Sequence, residues 1–122
     1  MTSHSILVRA LRPVVAQLRS YSAEAADQVE RAASSIVLNL AEGCRRHGRD
    51  PRRFWDIAHG SASEIRGALD LADAWGWQVD STQARALLDR ELGLLWGLTR
   101  RGSGGKATRE LPTSGAKARF SR

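Results

Sequence analysis

Five polar side chains, Ser35, Asn39, Glu42, Ser61 and Glu64, stand among residues that otherwise read as the apolar faces of two long helices. Two carboxylates on facing helices can act as an acid–base pair or hold a metal. Metal sites of helical bundles, however, also draw on Glu-x-x-His spacings, and none occurs here. His4, His47 and His59 fall at a terminus, in a loop and in mid-helix, and share no face. The chain has no Gly-rich phosphate loop and no serine or cysteine paired with a histidine at a nucleophile's spacing. Cys44, beside Arg45 and Arg46, reads either as a thiol of lowered pKa or as a small residue near a helix end. We therefore expect no catalytic residue, no metal and no cofactor. The polar set reads as hydrogen bonds that fix the register of two helices.

The positive charge is concentrated. Residues 45–53 hold Arg45, Arg46, Arg49, Arg52 and Arg53 against Asp50. Residues 102–122 hold Lys106, Arg109, Lys117, Arg119 and Arg122 against Glu110. These two segments contain all of the excess behind the formal net charge of +6. Such clustering suits a polyanion, although solubility or simple arginine usage would also produce it.

Helical spacing recurs four times and strand alternation nowhere. The first segment, near 5–21, carries Leu7, Ala10, Leu11, Val14 and Leu18 on one face, interrupted by Pro13. Proline removes a hydrogen bond and crowds the preceding turn, which predicts a kink or a helix starting near Arg12. The second, near 23–46, is capped by Ser22 and carries Val29, Ala33, Ile36, Leu40 and Gly43, with Leu38 facing outward. The third, near 51–75, follows a break at His47-Gly48-Arg49. It opens on an Asp50 cap with Pro51 at the first helical position. Its inner face holds Phe54, Ala58, Ser61, Ile65, Leu69 and Ala72, and Gly76 suits a left-handed stop. The fourth, near 81–100, begins with a capping box of Asp80 and Gln83 and packs through Ala84, Leu87, Leu88, Leu95 and Leu98. Short connections favour antiparallel neighbours, so the predicted fold is all-α, an up-down-up-down four-helix bundle over residues 1–101. Residues 102–122 read as a disordered basic tail, too poor in large apolar groups to offset ordering.

Three features remain. Gly60 and Gly67 share one stripe of the third helix with Glu64, so a second helix, from this chain or another copy, should come close. Glu91 falls on the stripe of Leu88 and Leu95, and is expected at its edge or paired with Arg19 or Arg31. No apolar run reaches the roughly 20 residues of a membrane span, and no signal-peptide pattern opens the chain. The lone Cys44 suits a reducing compartment, hence the cytoplasm.

The stretches Ser34–Gly43 and Ala58–Glu64 resemble one family. Ser35, Ile36, Asn39, Leu40, Ala41, Glu42 and Gly43 match its S-I/V-P-x-N-I/L-A-E-G motif, with Val37 where proline is common. Ala58, Gly60, Ser61, Ala62 and Glu64 match its A-x-G-S-A-x-E motif. The family is that of bacterial four-helix-bundle proteins encoded by intervening sequences of 23S ribosomal RNA genes. Its relatives include the accessory variability proteins of diversity-generating retroelements. The resemblance spans about residues 5–101 and treats Ser35, Asn39, Glu42, Gly43, Gly60, Ser61 and Glu64 as a structural motif, not a catalytic one. It implies a pentameric ring with a positive surface that binds nucleic acid, and a reverse transcriptase as partner.

An up-down topology brings Arg45, Arg46, Arg49, Arg52, Arg53, Arg100, Arg101 and the tail to one end, and Glu24, Asp27, Asp73 and Asp80 to the other. Arginine's planar fork suits phosphate. Trp55 and Phe120 are the aromatics read as near enough to stack on an unpaired base. The expected function is a non-enzymatic accessory protein that binds an RNA or DNA backbone. The alternative is a protein-interaction scaffold without nucleic acid.

Overall fold

The computed structural model describes residues 2–45 and 50–102, and among these every regular element is helical. Four helices follow one another: α1 (Ser3–Arg19), α2 (Ala23–Cys44), α3 (Arg52–Trp75) and α4 (Thr82–Gly102). Gly102, expected to open the 102–122 tail, instead ends α4, and the rest of that tail, the break at His47-Gly48-Arg49, and Arg46 lie outside the described residues.

Local chemistry explains where the helices start and stop. Thr2 accepts the Ser5 N–H at the head of α1, and Ser22 accepts the Ala25 N–H at the head of α2. Gly76 ends α3 at φ 81°, a backbone conformation open to glycine. The Gly76 N–H then bonds Asp73 O, and the Trp77 N–H reaches back to Ala72 O, closing a Schellman turn. Three starts differ from expectation by a residue or more. α3 begins at Arg52, with Pro51 as its cap residue, because Asp50 accepts the Arg52 N–H from one position further out. α4 begins at Thr82, whose N–H is taken by Asp80. α1 runs unbroken from Ser3 through Pro13, and does not start near Arg12. Pro13 is exposed, while Leu7, Leu11, Val14 and Leu18 are buried on both sides of it. Burying four such side chains, at about 1.5–3 kcal/mol each, outweighs the roughly 3 kcal/mol that an interior proline costs.

Pairings between helices establish their directions. Gly43 meets Trp55 and Ser35 meets Ser61 across α2 and α3. His59 meets Trp96, Arg66 meets Asp89 and Arg85 meets Asp70 across α3 and α4. Ser3 meets Glu91 across α1 and α4, and at the far end Gln17 accepts the Asp80 N–H. In each pair one number rises as the other falls, so neighbours are antiparallel and the bundle is up-down-up-down. α2 and α3 pack most extensively, helped by Ala32 and Ala33 on one side and Ala58, Ser61 and Ala62 on the other. The core is one cluster of Leu, Ile, Val and Ala from all four helices.

Glu91 departs from expectation. It is only 3% exposed, between Leu88 and Leu95, and accepts one hydrogen bond, from Ser3 Oγ at 3.0 Å. Neither proposed arginine serves it. Arg19 binds Asp27 and Glu30 instead, and Arg31 lies exposed on α2.

Candidate nucleic-acid interface

The polar set of α2 and α3 divides in two. Asn39 Nδ2 donates to Ser35 O and Ser35 Oγ one turn earlier on α2, at 2.8 and 3.1 Å. Ser61 Oγ, buried on α3, donates to the same Ser35 Oγ at 2.9 Å. This chain of three side chains crosses the helix pair and holds its register. Glu42 and Glu64 take no part in it. Glu42 faces Arg45 at 3.7 Å near the end of α2, whereas Glu64 lines a shallow depression with Gln28, Arg31 and Ser35. The two carboxylates stand at different levels of the bundle and make no acid–base pair. Among the described residues no cluster of His, Cys, Asp or Glu is fit to hold a metal.

The glycines also divide. Gly43 is buried, and a Cβ built on it would stand 2.8 Å from Trp55 Nε1 and 3.2 Å from Trp55 Cδ1. The indole therefore lies directly on the α2 backbone, and this close approach demands glycine. Gly60 and Gly67 are open instead: among the described residues, the helix's own backbone apart, no atom lies within 4 Å of an added Cβ. Helix α2 is thus not what comes close to them. They continue an exposed stripe of α3 formed by Ile57, Gly60, Glu64, Gly67, Leu71 and Trp75. Leu38, 67% exposed, stands outward on α2.

The antiparallel order gathers Arg45, Arg52, Arg53 and Arg100 at one end of the bundle. Arg101 belongs to the last turn of α4, and Arg46 and Arg49 lie outside the described residues. The four are not equivalent. Arg52 is held by both Asp50 oxygens, at 2.9 Å and 2.8 Å from Nε. That ion pair and the Arg52 N–H lower the Asp50 pKa from 3.8 to about 2, and raise that of Arg52. Because the folded pKa is the lower one, this contact contributes stability above about pH 4 and loses it as pH falls towards 2. It also explains how α3 tolerates a cation in its first turn, so no ligand need be invoked for Arg52. Arg45 is 77% exposed and only loosely engaged by Glu42, and Arg53 lies 6.0 Å over the Phe54 ring. The opposite end carries Glu24, Asp27, Asp73 and Asp80, but Arg19 and Arg85 offset part of that charge through Asp27, Asp70 and Asp73.

Trp55 is not a free aromatic at this end, since its ring is half-buried over Gly43 and against the core. Phe120 lies outside the described residues. The exposed tryptophan here is Trp96, which sequence reasoning passed over. Its signal was the i, i+4 spacing to Arg100, whose guanidinium carbon sits 4.8 Å from the ring centroid. Across from it His59 of α3 lies tilted at 6.2 Å. Burial lowers the His59 pKa against the opposing pull of Asp56. The folded state thus favours neutral imidazole and loses stability as pH drops below about 6.5.

Fold and site together define an all-α four-helix bundle with a hydrogen-bonded α2–α3 seam and an arginine-rich end. The chain belongs to the 23S rRNA-intervening sequence protein family, whose model matches residues 3–90. No curated protein and no solved structure matches it. Among the described residues no helix is long and apolar enough to cross a membrane.

Proposed function

We propose that the protein is a non-enzymatic, cytoplasmic accessory factor that binds the phosphate backbone of RNA or DNA through its arginine-rich end. The observation that carries this reading is the convergence of cations from three helix ends, α2, α3 and α4, on one pole. Arg45, Arg46, Arg49, Arg53, Arg100 and Arg101 neutralise phosphates, and Arg52 contributes less because Asp50 already satisfies it. Each phosphate contact on a single strand adds about −0.7 to the slope of log K against log salt, so six contacts give about −4. Replacing Arg45, Arg49 and Arg53 by glutamine should flatten the slope by roughly 2, with helical content unchanged. Filter-binding titrations across a salt series measure this. An unchanged slope moves the site elsewhere on the protein, and a wild-type protein that binds no nucleic acid at low salt is a protein scaffold instead.

The functional unit in this reading is a homo-oligomer, a pentameric ring by resemblance to the family, with a reverse transcriptase as the further partner that the resemblance suggests. The open α3 stripe supports assembly. It exposes Ile57, Leu71 and Trp75 around two glycines that no described element of the same chain approaches. Sedimentation equilibrium at micromolar protein should show a species several times the 13.4 kDa chain. Monomer alone at that concentration refutes the assembly.

A further inference from the structure

We propose that Trp96 is a stacking platform for an unpaired base, so that the arginine-rich end prefers single-stranded nucleic acid to duplex. The inference rests on the phosphate-binding reading above and extends it from backbone to base.

Four tryptophans are put to different uses. Trp55 closes over Gly43, and Trp77 stacks on Tyr21 with centroids 5.4 Å apart and planes 9° from parallel. Trp75 lies on the α3 stripe at the opposite end of the bundle. Trp96 alone among the described tryptophans is both largely exposed, at 54%, and at the arginine-rich end. Leaving so large an apolar ring half in water forfeits about half of what its burial would contribute. A fold that needed only a helix surface there would be served by a smaller or polar residue.

The surroundings of the ring suit a base. The Arg100 guanidinium lies over the indole at 4.8 Å, within the roughly 6 Å reach of a cation–π contact. A base that stacks on the indole takes the ring face from the guanidinium, and Arg100 then meets the flanking 5′ or 3′ phosphate. His59 borders the ring from α3 at 6.2 Å and closes one side of the platform. Helical side chains lean towards the N-terminus, which turns the indole towards the preceding turn. Gly93, three residues before Trp96, carries no side chain, and nothing among the described residues lies within 4 Å of a Cβ built on it, so no neighbour crowds α4 at that turn. Asp56 acts on His59 and is exposed on the α3 side, so the phosphates run along the Arg100 side, away from that carboxylate. Inside a duplex both faces of each base are already stacked and only the end pairs expose one, so the platform favours an unpaired base.

The test compares the full-length wild type with Trp96→Ala and Trp96→Phe. The probes are a short single-stranded RNA, a DNA of the same sequence, and the matching blunt RNA duplex. Fluorescence anisotropy across a salt series should show Trp96→Ala weakening both single strands by roughly 5- to 100-fold, with duplex binding and salt slope little changed. Trp96→Phe should restore most of the loss, since a smaller ring still stacks. Equal losses on RNA and DNA assign the contact to the base and not to the 2′-hydroxyl. A circular dichroism spectrum identical to wild type shows that the variants fold, as expected for an exposed side chain. The stacking inference is overturned if Trp96→Ala leaves single-strand affinity intact, or lowers duplex affinity equally. In either case a steep wild-type salt slope leaves the phosphate-binding reading standing. If the wild type binds none of the probes, both fall.

Discussion

Replacing Glu91 by leucine should stabilise the bundle by about 1–3 kcal/mol. Glu91 occupies a core position in every respect but its chemistry. It is one turn from both Leu88 and Leu95, which are buried to within 1%, and is itself 3% exposed. A carboxylate offers about four acceptor sites, yet the hydrogen bond from Ser3 is the single one this group receives among the described residues. No cation of the described residues lies within ion-pair distance to offset its desolvation, unlike Asp27, Asp70 and Asp73 with their arginines. Leucine has a similar volume and no polar atom to satisfy, so the substitution removes the cost without opening a cavity. Ser3→Ala should move stability the other way, by about 1–3 kcal/mol, because it takes away the donor and leaves the buried acceptor. Urea denaturation of both variants at neutral pH reads the two signs directly. A destabilised Glu91→Leu protein would show that the carboxylate has a favourable role that Ser3 does not account for.

The same glycine-to-alanine change should have opposite signs at Gly43 and at Gly60 or Gly67. At Gly43 the new methyl carbon would stand 2.8 Å from the Trp55 ring nitrogen. The indole must move, and with it the packing of α3 on the end of α2. Overpacking of this kind costs about 1–3 kcal/mol, more than the helix propensity gained so close to a terminus. At Gly60 and Gly67 the methyl meets none of the described residues, so each change should stabilise the isolated chain by roughly 0.5–1 kcal/mol through backbone entropy alone. If the α3 stripe joins copies of the chain, the same two substitutions should weaken assembly even as they stabilise the monomer. Thermal melts below and above the association range separate these effects. Stabilisation at Gly43 would mean that Trp55 can vacate its place over the helix freely.

The family motifs show where local reading stops. Ser35, Asn39, Glu42 and Glu64 look alike as polar residues inside apolar helices. Yet Ser35 bridges α2 to Ser61 and Asn39 bonds Ser35 from one turn on, while Glu42 is half-buried and Glu64 exposed, both outside that chain. Spacing at 100° per residue orders positions around one axis. It cannot say how far one helix slides along another, and that slide brings Ser35 level with Ser61 and Gly43 level with Trp55. Spacing likewise asks for a close neighbour at Gly60 and Gly67 and only places Gly43 on the α2 stripe, whereas the close contact falls at Gly43.

The chain by itself determined its four helices, their inward faces and their antiparallel order. These follow from apolar periodicity, from Ser22 and Gly76 at helix ends, and from connections too short for any other path. Through that order it also determined that its arginines converge, because topology alone brings helix ends together. Tertiary structure decided what each side chain at that end is free to do. Asp50 takes Arg52, the core takes Trp55, and Trp96 is left in solvent beneath Arg100. Exposure and pairing depend on which groups the packed helices bring within a few ångströms, a property of the relative placement of elements that no one helix encodes.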